Sequence, residues 1–309
     1  MASQAMCSSF SGCSNTGTLR CTRCKGADPE TFYCSPACQR QDWPFHREYC
    51  RKQAYTFELT LLGSSDPVIT RVFDLPAWFT FRQLHYTVQY GMGPWQCCHL
   101  HEFSFQAESD NSRNFLSPRN DVLRIVPADL LEEDIMPMPE MPSSRPVRTE
   151  GEENLLLSDV YDPAGRLRSV AAPNGEFLPL IYLYDFGDNW EHKLVFRGSK
   201  LARAARPLFT AASGCGPVED CHGPLGWNDV KAGFRSPNAT THQRNLVPWA
   251  KAVSGLGDRF DPFAEPDVKV MNYEGRWENH LESYMEASGE DTAHLYGPEE
   301  GEDDEPFTF

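Results

Sequence analysis

Eight side chains that can bind zinc lie within the first 50 residues of the chain. They are Cys7, Cys13, Cys21, Cys24, Cys34, Cys38, His46 and Cys50. A structural zinc ion prefers four nitrogen or sulfur ligands in a tetrahedron, so these eight side chains are enough for two ions. The short spacing between Cys21 and Cys24 lets both thiolates reach one ion from a single turn of the backbone. The pattern therefore predicts a small domain held together by two zinc ions.

The distribution of cysteine along the chain favours zinc over disulfides. Seven of the 11 cysteines lie between residues 7 and 50, and the first residues show neither a basic start nor a long apolar stretch, so we expect no export. The same segment has few large apolar side chains: Phe10, Leu19, Phe32, Tyr33, Trp43 and Phe45. Because so small a core does not offset the conformational entropy lost on folding, we expect metal binding and folding to occur together.

The segment from Arg20 to Cys50 reads RCTRCKGADPETFYCSPACQRQDWPFHREYC and closely resembles the second part of a MYND-type zinc finger. The resemblance implies that the ligand pairs interleave along the chain. One zinc ion would then be held by Cys7, Cys13, Cys34 and Cys38, and the other by Cys21, Cys24, His46 and Cys50. The family usually opens with two cysteines separated by two residues, whereas five residues separate Cys7 from Cys13. A free Cys7 thiol, with another group completing the first site, therefore stays an open alternative.

The same resemblance implies a binding partner for the finger. Fingers of this kind generally bind short proline-containing peptides and not DNA. The polar segment 35–49 predicts a short helix that carries the last ligands, and the resemblance places Gln39 and Trp43 on this helix as the expected peptide contacts. The alternative for Trp43, equally open, is that its ring packs against the zinc site.

Beyond residue 52, apolar residues recur with the period of strands in five segments: 55–62, 68–75, 98–105, 178–186 and 191–197. The segment 98–105, read as a strand, puts His99, His101, Phe103 and Phe105 on one face. The segments 178–186 and 191–197 are joined by a short connection, so they predict a hairpin.

Two other segments have the spacing of helices. The first is capped by Thr80, runs through Tyr90 and is expected to stop at Gly91. The second runs from Thr240 to Val253, and Pro248 predicts a helix start or a kink within it. Strands followed by helices in this arrangement predict an α+β fold.

Several runs of the chain beyond residue 52 resemble the plasmid pRiA4b ORF-3-like family, also called MM3350-like. They are YTFELTLLG, FRQLHYTVQYGMG, HLHEFSF, YDFGDNWEH, VEDCHGPLGW and DRFDPF. The resemblance covers about residues 55–275. YDFGDNWEH is the most specific of them. The resemblance implies a compact α+β domain with a mainly antiparallel sheet and packed helices, and it implies no assigned activity.

We therefore expect three regions in the chain: a zinc finger over residues 1–52, an α+β domain over 53–285 and an acidic disordered tail over 286–309. The tail has nine acidic residues and no Lys or Arg, a composition typical of disorder. Five prolines lie in the segment 127–154, which we interpret as an insertion or flexible loop within the second region.

Polar residues interrupt otherwise apolar segments of the α+β region: His85, His99, His101, Glu102, Asp185, Asp188 and His192. Burying such groups is costly unless they are paired. One hypothesis is a site that holds a divalent ion or performs acid/base chemistry. The other, which we favour, is a structural network in which Asp185 and Asp188 cap the hairpin turn while His85 and His192 satisfy each other or the backbone. We expect no further metal site at the cysteines beyond residue 52.

The charge of the chain restricts its partners. There are 44 Asp and Glu against 28 Lys and Arg, a formal net charge of −16. Residues 1–52 contain seven basic and four acidic side chains, a net of +3, which leaves 21 basic and 40 acidic ones, a net of −19, for the rest. Phosphate backbones are repelled by such a body, and no run of about 18 apolar residues is present to cross a membrane. We expect binding neither to nucleic acid nor to a membrane.

These features predict a zinc-binding adaptor or scaffold of the cytoplasm or nucleus rather than an enzyme. Its finger would recruit a proline-containing peptide of a protein partner. The alternative is a hydrolase or nucleic-acid-processing enzyme that uses the His and Asp side chains of the α+β region.

Overall fold

The structure, a computed structural model, describes residues 5–9, 13–26, 30–93, 95–107, 120–132, 147–273 and 275–287. Its N-terminal part is a small finger with a two-stranded antiparallel sheet and one helix. The elements of the finger are β1 (Leu19–Arg20), a 3-10 turn (Thr22–Cys24), β2 (Phe32–Tyr33) and α1 (Pro36–His46). The expected tail from residue 288 onward and Phe10 of the finger lie outside the described residues.

Eight further strands form one sheet. They are β3 (Gln53–Leu61), β4 (Thr70–Pro76), β5 (His101–Gln106), β6 (Asp121–Val126), β7 (Arg148–Gly151), β8 (Leu180–Tyr184), β9 (Trp190–Leu201) and β10 (Leu208–Ser213). Their order is β10-β4-β3-β9-β8-β5-β6-β7, and every neighbouring pair except β6 and β7 is antiparallel. The prediction of an α+β fold with a mainly antiparallel sheet is confirmed.

The helices of this larger domain lie between and after the strands. They are α2 (Phe81–Met92), α3 (Ala128–Glu132), α4 (Leu157–Tyr161), α5 (Arg168–Ala171), α6 (Gly223–Arg235), α7 (Thr241–Val253), α8 (Val268–Met271) and α9 (Arg276–Ala287). None of the helices in the described part of the chain is both long enough and apolar enough to cross a bilayer.

The core of the larger domain lies where α2 packs on the sheet. Phe81 of α2 contacts Phe103 of β5 with ring centroids 5.5 Å apart. On another side of α2, the Tyr86 ring stacks on Tyr284 of α9 at 5.9 Å. Because α2 is buried between the sheet and α9, polar side chains on it must find partners inside the protein.

Helix α2 is two residues longer than the sequence predicts. Gly91 lies inside the helix, which ends at Met92 with Gly93 at its C-cap. A Cβ atom at Gly91 would come within 3.0 Å of the Phe209 ring, and the Gly91 carbonyl accepts a hydrogen bond from Arg71 Nε at 2.6 Å. The prediction that Gly91 stops the helix is wrong, because this glycine serves close packing and not a turn.

Two other boundaries differ from the sequence-based expectation, while α7 follows the predicted segment from Thr240 to Val253. Strand β5 begins at His101 and not at residue 98, because its partner β8 ends opposite it at Tyr184 and the next residue, Asp185, has a left-handed backbone (φ 57°). His99 therefore lies before the strand. Helix α7 continues through Pro248. The proline-rich segment 127–154 contains α3 and β7, so it is not wholly a flexible loop, while residues 133–146 of it lie outside the described residues.

The finger is joined to the larger domain by two residues, Arg51 and Lys52, between Cys50 and the start of β3. The backbone N–H of Ala202 donates a hydrogen bond to the Lys52 carbonyl at 2.8 Å. Leu201 packs against the buried residues of the finger. The junction is thus a short covalent link supported by the end of β9.

Candidate functional site

The finger brings its eight potential ligands together in two groups. One consists of Cys7, Cys13, Cys34 and Cys38, and the other of Cys21, Cys24, His46 and Cys50. Within each group all donor atoms lie within 4.8 Å of one another. The grouping is the interleaved one that the MYND resemblance implies, and Cys7 is buried within the first group.

The spacing of the donor atoms fits zinc. A tetrahedral ion with Zn–S bonds of about 2.3 Å needs sulfur atoms about 3.8 Å apart. The Sγ–Sγ distances are 3.6 Å for Cys13–Cys34, 3.5 Å for Cys34–Cys38, 3.6 Å for Cys24–Cys50 and 3.9 Å for Cys21–Cys50. His46 Nε2 lies 3.3 Å from Cys21 Sγ and 3.4 Å from Cys24 Sγ. Both groups could therefore bind zinc without rearrangement of the chain.

Helix α1 connects the two groups. It begins after Ser35, whose hydroxyl accepts a hydrogen bond from the Cys38 N–H at 3.2 Å, and it ends at His46. Cys38, Asp42 and His46 recur every four residues and so share one side of the helix. Asp42 is buried and accepts a 2.6 Å hydrogen bond from the Tyr33 hydroxyl. The inward stripe of α1 is therefore made of ligands and one carboxylate instead of apolar residues.

Gln39 and Trp43 are one helical turn apart, on the stripe next to the inward one. Both side chains are half-buried. The Trp43 ring centroid is 6.0 Å from that of His46. Trp43 thus contacts the second ligand group and keeps part of its surface accessible.

In the larger domain, His85 and His101 lie together in a buried network. Their rings stack in parallel with centroids 3.6 Å apart. His101 Nε2 donates to the Glu152 carboxylate at 2.9 Å, and Arg82 Nη1 contacts the same carboxylate at 2.7 Å. Burial alone would raise the pKa of Glu152, but the neighbouring His101 and Arg82 outweigh it and hold this pKa below its usual value.

His85 is held neutral in the same network. Burial, with help from His101 and Arg82, puts its pKa well below the usual value. Gln89 donates to the Tyr182 hydroxyl at 2.8 Å, which leaves the Tyr182 proton free for His85 Nδ1 at 2.7 Å. His85 Nε2–H then points to Cys97 Sγ at 2.9 Å. Every polar atom of His85 is satisfied, as in a structural network.

His99 and Asp185 lie in a different place, at the loops before β5 and after β8. His99 Nε2 is 3.8 Å from Asp185 Oδ2 and 3.5 Å from Asp220 Oδ1. Asp185 also accepts hydrogen bonds from the N–H groups of Gly187 and Asp188 through Oδ1. It therefore caps the hairpin turn and at the same time faces His99.

The other residues singled out from the sequence donate no side-chain atom to either cluster, although the Asp188 N–H bonds to Asp185 and the His192 ring centroid lies 5.3 Å from that of Tyr182. Glu102 is buried and pairs with Arg124. His192 is buried, neither of its ring nitrogens makes a hydrogen bond of good geometry, and burial lowers its pKa to about 3. Asp188 has one buried oxygen, Oδ2, without a hydrogen-bond partner. His85 and His192 do not satisfy each other as the structural hypothesis expected, because Tyr182 and Cys97 occupy both nitrogens of His85.

Three carboxylates of these clusters are not marked by any local pattern in the sequence. Glu152 lies in the segment interpreted as a loop, where no apolar pattern marks it as buried. Glu219 and Asp220 belong to the run VEDCHGPLGW, which stands out in the sequence only through the family resemblance. Glu219 accepts a 2.6 Å hydrogen bond from the Tyr184 hydroxyl, and burial raises its pKa. For Glu219 and Asp220 the available signal is their place in this family-like run, and for Glu152 the sequence offers none.

Two family models match the chain. The model described as plasmid pRiA4b ORF-3-like protein matches residues 53–267, and the model described as MYND finger matches residues 5–50. A MYND finger is a zinc-binding protein-interaction module, so both resemblances seen in the sequence are confirmed and the cofactor of the finger is zinc.

Curated relatives cover different parts of the chain. Tudor domain-containing protein 1 is 59% identical over 39 residues in Danio rerio and 51% identical over 39 residues in Mus musculus. Each of these matches covers 13% of this chain and only 3% of the relative. The uncharacterized protein y4hQ of Sinorhizobium fredii is 25% identical over 186 residues, which are 60% of this chain and 75% of that protein.

Among solved structures, the protein of unknown function MM3350 from Methanosarcina mazei Go1 is similar to this chain. It is 24% identical, with a TM-score of 0.48, and the match covers 71% of this chain and 96% of that one.

Proposed function

Because the chain belongs to the plasmid pRiA4b ORF-3-like protein family and carries a MYND finger before that domain, we propose that it is an intracellular adaptor whose finger binds a proline-containing peptide of a partner protein. Two zinc ions, held by the Cys7, Cys13, Cys34, Cys38 group and by the Cys21, Cys24, His46, Cys50 group, give the finger its shape.

The observation that carries this proposal is the way in which α1 is held. Cys38 near the start of the helix belongs to one ligand group, and His46 at its end belongs to the other. Gln39 and Trp43 lie between these two fixed points. A tryptophan ring offers an apolar face for a proline ring, and a nearby amide can pair with a peptide backbone group. Fixing the helix at both ends reduces the entropy lost when a peptide binds.

The proposed cellular location is the cytoplasm or the nucleus. None of the 11 cysteines, all of them among the described residues, forms a disulfide in the structure, which suits a reducing compartment. The formal charge of −16 opposes contact with nucleic acid. Labelled DNA and RNA at physiological salt are therefore expected to remain unbound.

The enzymatic alternative needs His and Asp side chains that share one accessible site. His85 and His101 are buried and hydrogen-bonded to Tyr182 and Glu152, and His192 is buried on another side of Tyr182. Only the His99 group, at the loops around Asp185 and Asp220, keeps access to solvent. The geometry supports an adaptor better than an enzyme built on the full set of these residues.

The test of the adaptor proposal is peptide binding by the full chain. An array of short proline-containing peptides identifies a ligand, and fluorescence anisotropy then measures its Kd. Gln39→Ala and Trp43→Ala are each expected to weaken binding about tenfold or more. Gln41→Ala is the matched control, because Gln41 is exposed on the same helix and lies away from the Gln39 stripe.

The zinc content of each variant shows whether the finger is still folded. The proposal is contradicted if no peptide binds the zinc-loaded chain, or if Trp43→Ala binds as well as Gln41→Ala.

A further inference from the structure

The His99 group lies where three loops of the larger domain meet. His99 comes from the loop before β5, Asp185 from the turn after β8, and Asp220 from the loop before α6. Their donor atoms all lie within 4.8 Å of one another, and His99 Nε2 is 3.5 Å from Asp220 Oδ1 and 3.8 Å from Asp185 Oδ2. The group is separate from both ligand groups of the finger.

Hydrogen bonds hold Asp185 and the segment that carries His99 in place, and they leave the atoms that face each other available for a ligand. Asp185 Oδ1 accepts from the N–H of Gly187 at 2.8 Å, so Oδ2 remains directed at His99. The Asp185 N–H donates to the Leu100 carbonyl at 2.9 Å, which ties the turn after β8 to the segment that carries His99. Such anchoring of a carboxylate by a second set of contacts is typical of metal ligands.

The charge around His99 also favours the binding of a cation. Asp185, Asp188, Glu219 and Asp220 are gathered at these loops, and within the described residues none of them pairs with Lys or Arg. Glu219 is buried beside Asp220, with both of its oxygens taken by Tyr184 and the Gln96 N–H. Carboxylates brought this close repel one another unless a positive charge lies between them.

The types of the three ligands indicate which class of metal ion the site would bind. An imidazole nitrogen suits zinc and other transition metals, whereas magnesium and calcium prefer oxygen alone. With Zn–N and Zn–O bonds of about 2.1 Å, tetrahedral donor atoms stand about 3.4 Å apart, so shifts of a few tenths of an ångström bring the observed 3.5 and 3.8 Å to that value.

We propose that His99 Nε2, Asp185 Oδ2 and Asp220 Oδ1 form a third metal site, in the larger domain, for a divalent transition-metal ion, with zinc the best match. Asp220 is 63% exposed at its side chain and His99 31% exposed, so the fourth position faces water. Three protein ligands and one open position distinguish this site from the closed four-ligand sites of the finger. Cys98 Sγ lies with His99 and Glu219 in an overlapping donor group on the same side.

The test is the zinc stoichiometry of the full chain. The purified protein is dialysed to equilibrium against a series of free Zn²⁺ concentrations, and bound zinc is counted by elemental mass spectrometry. The wild-type chain is expected to saturate at three ions and His99→Ala at two. Asp220→Asn is expected to need about tenfold more free Zn²⁺ to fill the third site, as for the loss of one charged ligand.

Two matched controls separate a ligand effect from a general loss of side chains. His242→Ala removes an exposed histidine of α7, and Asp258→Asn removes an exposed carboxylate. Both variants should bind three ions with wild-type affinity. Equal saturation of the wild-type chain and His99→Ala, at whatever number of ions, would overturn the proposal. If a finger site fails to bind zinc, the number of ions per chain falls by the same amount in every variant. The difference of one ion between wild type and His99→Ala remains, so failure of the finger can be told apart from absence of the third site.

Discussion

Glu152 joins two parts of the chain that are far apart in sequence. Its carboxylate is inaccessible to solvent and binds both Arg82 of α2 and His101 of β5. Burying the charged Glu152 carboxylate is unfavourable unless it is paired, so both Arg82 and His101 are needed to compensate its charge. The network therefore locks β5, α2 and the segment after β7 together.

Glu152→Gln is expected to lower the free energy of unfolding by about 3 kcal/mol, since it leaves the Arg82 guanidinium without its buried counter-charge. The difference in urea midpoint between variant and wild type measures this loss. Glu150→Gln is the matched control two residues away, where the partners Arg148 and Arg166 are about half exposed, and it should cost less than about 1 kcal/mol. Equal losses in the two variants would contradict this account of the network.

His192 makes stability depend on pH. Its folded-state pKa is about 3 because of burial, while in the unfolded chain it is about 6.5. Between about pH 6 and about pH 4 the unfolded state binds a proton here that the folded state does not, so stability falls as the pH falls, by about 1.4 kcal/mol per pH unit for this residue. His85, whose pKa is lowered in the same direction, adds to the slope.

His192→Gln removes the group that binds this proton. The urea midpoint is therefore expected to fall less steeply as the pH is lowered from about 6 to about 4. His242→Gln, at an exposed position, should leave the slope unchanged. A slope identical in the His192 variant and the wild type would show that His192 titrates alike in both states.

At the residue scale, spacing in the sequence is informative only where chemistry requires a fixed pattern. The finger ligands stand in such a pattern, and the structure groups them as it implies. Glu152 and Asp220 do not, because a buried carboxylate is specified by partners that are distant along the chain. His85 was recognised as a buried polar residue, yet its partners Tyr182 and Cys97 come from other elements and no local pattern names them.

At the scale of elements, helix starts were easier to predict than helix ends. Thr80 caps α2 by accepting from the Gln83 N–H at 3.2 Å, while the Gln83 side chain accepts from the Thr80 N–H at 2.9 Å. This reciprocal cap is local and therefore readable from sequence. The continuation of α2 past Gly91 goes with the close approach of Phe209, and the start of β5 is set by where its partner β8 ends, which are both tertiary features.

Thr80→Ala is expected to destabilise the protein by about 1 kcal/mol, since the N-cap acceptor is lost. Thr80→Ser keeps the hydroxyl and should restore most of that stability. Urea unfolding of the three proteins measures the difference. If the serine variant is as unstable as the alanine variant, the methyl group and not the cap is responsible.

At the scale of the whole molecule, the finger and the larger domain have separate buried clusters. The finger cluster contains Cys7, Cys21, Cys24 and Tyr33, and from the larger domain only Leu201 among the described hydrophobic residues packs against it. The sequence anticipates this division because ligands are confined to one end of the chain and apolar periodicity to the rest. It does not anticipate the junction, where Ala202 and Lys52 pair across the two parts.

His46→Ala is expected to unfold the finger while the larger domain keeps its thermal transition. Loss of the Leu201 contact is worth about 1 kcal/mol and should shift that transition by about 3 °C at most. Limited proteolysis is expected to cut this variant within the finger. Calorimetry measures the thermal transition of the larger domain. His242→Ala serves as the control, and a collapse of both transitions in His46→Ala would contradict the division into two units.

The zinc content of the His99→Ala chain tests the central claim most directly, because this variant keeps both ligand groups of the finger and lacks the histidine of the larger domain. Elemental analysis under reducing conditions is expected to return two zinc ions per chain. A value of one or none would contradict the account of the finger.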